Sequence, residues 1–393
     1  EKDSYLELWH GPTCAFKDMA LTVLSGLLEQ AKLNLNDKSR TVILTATSGD
    51  TGSATLSGFL KSNINAIVLY PNGGVSPVQE AQMQYFAKNG SRAVAIDGNF
   101  DFCQTLVKKV FSDKAFSFDG ELSSANSINI GRLVPQIVYY MYSYLELCRR
   151  GKISFGEKIV FSVPTGNFGD ILAGYIAKML GVPVEKFICA SNSNDVLAEF
   201  FESGVYDRNR PFYKTISPSM DILVSSNLER LLYVLSGCNG ECVADLMNSL
   251  NQTGRYQVDE KIKKGFIDFY PFRLDDNGTK REINDVYADF SYLIDPHTAV
   301  ASAALKAYRK ASGFSGEGVV VSTASPYKFP IPVSSAIGLK EGKDIFDTIK
   351  KIEEKTGVSA PDSLKKLKGY SFERVVWSKE EAEEELKKMI AER

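Results

Sequence analysis

A lysine in the stretch HGPTCAFKDMALTVLSGLLEQ, from His10 to Gln30, sits where its charge is poorly served. From Phe16 onward apolar residues recur at helical spacing through Leu24 and Leu28, which predicts a helix with Lys17 in its first turn. Lys17 shares its row with Leu21, Leu24 and Leu28, whereas Asp18, Thr22 and Ser25 lie on another side. A cation there faces the positive end of the helix dipole, and on an apolar row it also faces desolvation. Two readings follow. Either the side chain snorkels to solvent at a helix end, or it is a desolvated amine able to form a Schiff base.

Three polar loops add chemistry of a second kind. TATSGDTGS, Thr45 to Ser53, offers hydroxyls, two glycines and a carboxylate between a strand and a helix. PTGNFGD, Pro164 to Asp170, repeats the arrangement with Gly166 and Gly169. Backbone N–H groups at a helix N-terminus, approached through glycines, form a phosphate site. Neither loop has the Gly-Lys-Ser/Thr ending of a Walker A motif or the spacing of a dinucleotide fingerprint, and each is equally a plain turn when taken singly. VVVSTASP, Val319 to Pro326, ends a buried strand in hydroxyls that also serve as ordinary helix caps. The segment SSANSINIGR sets Asn126, Ser127, Asn129 and Arg132 together, a donor set suited to a phosphate or carboxylate, or an ordinary polar loop. A lysine amine and a glycine-rich helix start are the two groups that would grip the aldehyde and the phosphate of pyridoxal phosphate.

The elements that must position these residues alternate. TVILTA, NAIVLY and RAVAIDG read as strands, with helices SATLSGFLKS, SPVQEAQMQYFAKNG and DFCQTLVKKVF between and after them. A long amphipathic segment, LVPQIVYYMYSYLELCRR, leads to a second series: strand KIVFSVP, helix ILAGYIAKMLG, strand KFICAS, then helix HTAVASAALKAYRKAS and strand GVVVSTA. This alternation predicts an α/β fold of two lobes, each with a mostly parallel sheet covered by helices. The expected division is a lysine-bearing segment over 1–39, a smaller α/β domain over 40–150 and a larger one over 151–393. A lobe boundary is expected near Arg150–Lys158, and a helical insertion over about 206–289. The C-terminal SKEEAEEELKKMIAER is expected to be a solvated, charged helix.

Bulk properties remove several classes of function. A net charge of −2 over 393 residues leaves no electrostatic footprint for nucleic acid. No apolar run reaches membrane-spanning length, and no signal peptide is expected. Six scattered cysteines without neighbouring histidines suggest reduced thiols in a cytoplasmic protein, not a zinc site. With histidines only at positions 10 and 297, a histidine triad or a histidine metal site is not expected, and no metal is assigned.

GPTCAFKDMAL, TSGDTGSAT, SANSINIGRL, PTGNFGD, DPHTAVA and STASPYKFP occur in the order and spacing found in threonine synthases. The chain resembles the long fungal and bacterial form of that family between about residue 5 and about residue 330. The resemblance implies a pyridoxal-phosphate enzyme of the tryptophan-synthase-β fold type (fold type II), with the cofactor at the lobe interface. It implies formation of L-threonine and phosphate from O-phosphohomoserine, the last step of threonine biosynthesis. Lys17 would be the Schiff-base lysine and main proton shuttle. Gly166, Asn167, Phe168, Gly169 and Asp170 would hold the cofactor phosphate, and Thr323 would face the pyridine nitrogen. Thr47, Ser48, Gly49 and Thr51 would surround the substrate carboxylate, Asp50 the cofactor ring, and Asn126, Ser127 and Arg132 would read the substrate phosphate.

Family members of this form carry a longer stretch before the F-K-D motif, so the family region before residue 1 is expected to be absent. Ser325 stands where the family often has histidine and receives no role; Asp50 stands where relatives of the fold often have asparagine, which leaves its charge open. The resemblance implies a monomer, with a dimer as the alternative. A serine/threonine dehydratase, a cysteine-synthase-type lyase, or a non-catalytic metabolite-binding relative are the rival readings.

Overall fold

Runs such as TVILTA and IVFSVP are apolar or β-branched at nearly every position, as strands covered on both faces must be. In the computed structural model, which describes residues 2–392, all six residues of each run are buried. The strands, in chain order, are β1 (Asp3–Glu7), β2 (Thr41–Ala46), β3 (Asn65–Pro71), β4 (Arg92–Ile96), β5 (Glu121–Ser123) and β6 (Ile159–Pro164). They continue with β7 (Val184–Ser191), β8 (Val205–Asp207), β9 (Arg255–Gln257), β10 (Phe269–Arg273), β11 (Gly318–Ser322) and β12 (Val375–Trp377). Among the described residues no helix is long and apolar enough to cross a membrane.

The chain divides into two compact units. One gathers the described part of Glu1–Leu8 with Leu133–Pro326 and Pro330–Lys340. Its sheet has the order β1-β11-β6-β7-β10, every pair parallel, and β8 and β9 form a separate antiparallel pair. The other unit gathers Trp9–Arg132, Tyr327–Phe329 and the described part of Glu341–Arg393. Its sheet has the order β12-β4-β3-β2-β5, again parallel throughout. The expected α/β architecture of parallel sheets is present in both.

The limits of the units differ from the expected ones: the 1–39 segment is divided after Leu8, Tyr327–Phe329 joins the second unit, where Lys328 bonds Asp50 and Thr13, and two longer segments change unit for packing reasons. Helix α5 (Val134–Arg149) falls in the first unit, because Tyr140 packs edge-on against Phe161 of β6 and gives its hydroxyl to Asp170. The C-terminal segment falls in the second unit. There β12 adds a parallel strand beside β4, and the helix Ala382–Ala391 sets Ala382, Leu386 and Ile390 into a core with Val42, Leu44, Val94 and Leu106. That helix is therefore charged only on its outer face, where Lys387–Glu383 and Lys388–Glu384 pairs run along it. The region expected to be a helical insertion also supplies β10, an edge strand of the first unit's sheet.

Helix starts are set locally. Helix α3 (Pro77–Phe86) opens on a capping box in which Ser76 and Gln79 exchange hydrogen bonds, with proline at its first position. Helix α4 (Phe100–Ser112) is capped by Asn99. Helix α1 (Lys17–Asn34) has no side-chain cap, and buries Leu21 and Leu24 as its apolar row requires.

Because Leu386 is fully buried, Leu386→Ala is expected to lower folding stability by about 2–5 kcal/mol. Lys388→Ala on the exposed face should change it by less than about 0.5 kcal/mol. Chemical denaturation of the two variants checks the difference; equal effects would mean that this helix is not part of the core.

Candidate active site

In the unit formed by Trp9–Arg132, Tyr327–Phe329 and Glu341–Arg393, strand β2 ends at Ala46 and α2 (Asp50–Gly58) begins four residues later. The hydroxyl of Thr47 closes the turn between them, accepting from the N–H groups of Gly49 and Gly52 at 2.9 Å each. Gly49 has φ +139°, and a Cβ there would stand 2.3 Å from the Gln79 side chain, so only glycine fits. Ser48 and Thr51 are half-buried on either side.

This turn delivers Asp50 to the first turn of α2 with its carboxylate almost fully buried. One oxygen, Oδ1, accepts from Lys328 Nζ at 2.7 Å and from Gln79 Nε2 at 2.9 Å. The other, Oδ2, lies 3.8 Å from Lys17 Nζ, an electrostatic contact longer than a hydrogen bond. Burial opposes the charge on Asp50, but Lys328, Lys17 and the two hydrogen bonds outweigh it and hold the carboxyl well below the usual carboxylate range. Asp50, whose charge the sequence left open, is thus an ionised carboxylate.

Lys17 is the first residue of α1, its side chain 13% exposed and its amine 4.8 Å from the centre of the Phe16 ring. It therefore has a carboxylate partner that the apolar row alone did not suggest. Asp18, expected on a polar face, is buried, and its carboxylate turns back to accept from the N–H and hydroxyl of Thr13 at 2.8 and 2.7 Å. Burial raises its carboxyl above the ordinary value against those two bonds and the nearby Lys328 charge. The Thr13 carbonyl in turn accepts from Lys328 at 2.8 Å and Gln82 at 3.0 Å. Lys17, Asp18, Thr13, Lys328 and Asp50 are one connected polar cluster in a largely apolar interior.

Strand β5 runs beside β2, so the SANSINIGR segment leaves the same carboxyl edge of the sheet as the Thr47–Thr51 turn. The amide of Asn126 donates to the Ala46 carbonyl at 2.9 Å, tying the two loops together. Arg132 is 4% exposed and donates to the Ala125 carbonyl at 2.5 Å; Ser127 is half-buried. The structure thus brings together Lys17, the Thr47–Thr51 turn and the Asn126–Arg132 segment within one unit.

The remaining expected site residues belong to the other unit. Strand β6 ends at Pro164, and α6 (Gly169–Met179) starts after a turn in which Phe168 takes the left-handed conformation, φ 62°. An aromatic residue is uncommon there, at a cost of about 1–3 kcal/mol. Phe168 is buried and stacks on Phe201 at 5.8 Å, with Phe269 at 5.9 Å, and this packing holds the turn. Around it the Gly166 carbonyl accepts from the Ser225 hydroxyl at 2.9 Å, and the Asn167 carbonyl from the Asn227 amide at 2.8 Å. The Asp170 carboxylate accepts from the Tyr139 and Tyr140 hydroxyls at 2.6 and 2.7 Å, so its side chain is committed toward α5. Thr323 follows the end of β11, the neighbour of β6 in the sheet, and is buried.

No local sequence pattern marks a role for Lys328, Gln79, Thr13 or His297. STASPYKFP and DPHTAVA contain two of them, but periodicity does not mark a buried lysine that meets its partner across nearly three hundred residues. His297 is buried, its Nδ1 2.6 Å from Asp295 Oδ2 and its Nε2 accepting from the Ser219 N–H at 3.1 Å. That pair fixes the strip whose Ser219 carbonyl lies against Gly166, and so acts on the glycine turn from behind.

Comparison with known proteins agrees with this arrangement. No family model matches the chain. It is 39% identical over 406 residues to threonine synthase of Saccharomyces cerevisiae, covering 98% of this chain and 78% of the yeast protein. It is 40% identical over 350 residues to threonine synthase-like 1 of Homo sapiens, covering 86% of this chain and 46% of that protein. The chain thus spans less than half the length of the threonine synthase-like 1 proteins it matches. The crystal structure of PLP-bound threonine synthase from Brucella melitensis aligns with a TM-score of 0.85 at 37% identity, over 99% of this chain and 78% of that one. The fold, two parallel-sheet α/β units with polar turns at the carboxyl edges of the strands, is that of the fold type II class of pyridoxal-phosphate enzymes. Within that class, the chain belongs to the threonine synthase family.

A Cβ on Gly166 would stand 2.6 Å from the Ser219 carbonyl oxygen, whereas on Gly169 its nearest neighbour would be 3.5 Å away. Gly166→Ala is therefore expected to cost about 1–3 kcal/mol of stability, and Gly169→Ala little. Thermal unfolding of the two variants tests this, and similar losses would refute the close approach of the Ser219 strip.

Proposed function

We propose that this chain converts O-phosphohomoserine and water to L-threonine and inorganic phosphate, with pyridoxal 5'-phosphate as cofactor. The observation that carries this reading is the Lys17 amine, which faces an ionised carboxylate whose other oxygen is fixed by Lys328 and Gln79. Membership of the threonine synthase family supports it, as does the PLP bound in the Brucella melitensis relative.

The residues present fit the cofactor. The turn Gly166–Phe168 leads into the start of α6, where first-turn N–H groups suit a phosphate. Lys17 supplies a primary amine, and Thr323 a hydroxyl at the end of the strand next to β6. When bound, pyridoxal phosphate supplies an aldehyde for an amine and a conjugated ring that takes up the electrons left as a carbon beside it loses a proton.

The chain's own residues then divide the work. Lys17 Nζ would hold the cofactor and give way to the substrate amine; once free, it would take a proton from Cα and one from Cβ, and return one at Cγ and finally one at Cα. Gly166, Asn167, Phe168, Gly169 and Asp170 hold the cofactor phosphate, Asp170 through its backbone because its carboxylate is committed to Tyr139 and Tyr140. The Thr323 hydroxyl bonds the ring nitrogen; it can donate or accept, and so does not fix a proton there as a carboxylate would. Asp50 stands beside the ring. Thr47, Ser48, Gly49 and Thr51 bind the substrate carboxylate, and Asn126, Ser127 and Arg132 its phosphate, with Arg132 supplying the charge. The phosphate leaves Cγ with the C–O bonding pair, and water places its hydroxyl on Cβ while its other proton goes to the released phosphate.

This reading takes O-phosphohomoserine as the small-molecule partner of a monomer in the cytoplasm, where six free thiols are at home.

With pyridoxal phosphate added, the chain should release phosphate and threonine in equal amounts from O-phosphohomoserine. Lys17→Ala should lower that rate by about a thousandfold and abolish the absorbance of lysine-bound cofactor. Threonine output unchanged by Lys17→Ala would refute the assignment, and turnover of serine to pyruvate in its place would make the enzyme a dehydratase.

A further inference from the structure

Lys328 is a lysine with no exposed surface, a placement that is sustained only where the charge is paired and its donors are used. Both conditions hold. Its amine donates to Asp50 Oδ1 at 2.7 Å and to the Thr13 carbonyl at 2.8 Å. Asp50 is thus shared unequally by two cations: Lys328 on one oxygen at hydrogen-bond distance, Lys17 on the other at 3.8 Å. The turnover proposed above uses Lys17 and leaves Lys328 without a part.

An amine that takes protons from a substrate has to reach its uncharged form. A buried carboxylate with Lys17 as its only counter-charge would hold Lys17 charged, and would itself be left uncompensated whenever Lys17 lost its proton. A second cation on the other carboxylate oxygen removes both difficulties. We infer that Lys328 is a positioning residue for Lys17: it keeps the Asp50 carboxylate ionised and oriented whatever the charge on Lys17, and its own charge offsets that carboxylate so that Lys17 gives up its proton more readily.

Two charged groups lie on elements packed against α1, Lys328 reaches Asp50 and Thr13 beside its start, and Asp18 lies on α1 itself. Asp50 is on α2, Lys328 is in Tyr327–Phe329, and Arg132 is on the short turn Ile130–Arg132. Asp18 is turned onto Thr13. Arg132 and Asp18 are unchanged in each variant below. The catalytic meaning of the inference rests on the reading of Lys17 in the proposed function; the electrostatic relation itself is tested on the chain without cofactor.

The test is competitive acylation of the full cofactor-free chain with trace acetic anhydride across a pH series. Labelling of Lys17 is quantified by mass spectrometry against the exposed Lys114. Lys328→Met and Lys328→Gln should each raise the pH of half-maximal Lys17 labelling by about one unit or more, because the Lys328 charge no longer offsets Asp50. Asp50→Asn should move it the other way. Lys328→Gln keeps a donor but no charge, and serves where Lys328→Met does not fold. A folded Lys328 variant in which Lys17 titrates as in the parent chain would overturn the inference, since a merely structural lysine lowers the melting temperature without moving that profile. Failure of borohydride to trap pyridoxal phosphate on Lys17 in the parent chain would instead count against the cofactor reading, and would leave the titration result standing.

Discussion

A carboxylate buried in a low-dielectric interior is tolerated only when its charge is met and its oxygens are bonded, and Asp50 imposes that demand on the unit around it. Its partners come from separate parts of the chain: Lys17 from the first turn of α1, Gln79 from the first turn of α3, and Lys328 from Tyr327–Phe329. Gln79 serves twice, because its side chain also completes the capping box of α3 and lies against Gly49, where no Cβ fits. Helix start, turn conformation and charge pairing are therefore one arrangement. Removing one member of a buried pair typically costs about 3–5 kcal/mol, so the geometry around the lysine amine is strongly determined.

Parallel sheets do the gathering within each unit. Every strand of such a sheet ends on the same edge, so polar turns far apart in sequence emerge side by side wherever their strands are neighbours. Strands β2 and β5 bring the Thr47–Thr51 turn to the Asn126 amide, and β6 and β11 do the same for the glycine turn and Thr323. The strain of Phe168 is borne by an aromatic cluster beneath the turn, and the Asp295–His297 pair steadies the strip against Gly166. Rigid elements behind a polar turn give it the definition that a free loop would lack.

Much of this was legible in the amino-acid order. Short near-continuous apolar runs rich in β-branched residues, such as TVILTA and IVFSVP, read as strands covered on both faces, and their alternation with helical periods leads to parallel α/β units. The motifs around Lys17, Gly49, Asn126 and Gly166 mark the turns, since glycines and small polar residues between a strand and a helix have few other uses. Periodicity also showed Leu21 and Leu24 facing inward. It misread Asp18, because a short carboxylate that folds back onto its own approach loop is buried by a local hydrogen bond and not by its place on the helical wheel.

What the sequence by itself determined is the set of elements and the chemical groups at their ends, because both follow from local patterns read over a few residues. The tertiary structure alone decided which strands are neighbours, and that the C-terminal helix closes a core and does not merely float on the surface. It also decided which charges share Asp50: Lys328 reaches that carboxylate from 278 residues away, and pairings made across such distances depend on how the whole unit is packed, which no local period encodes.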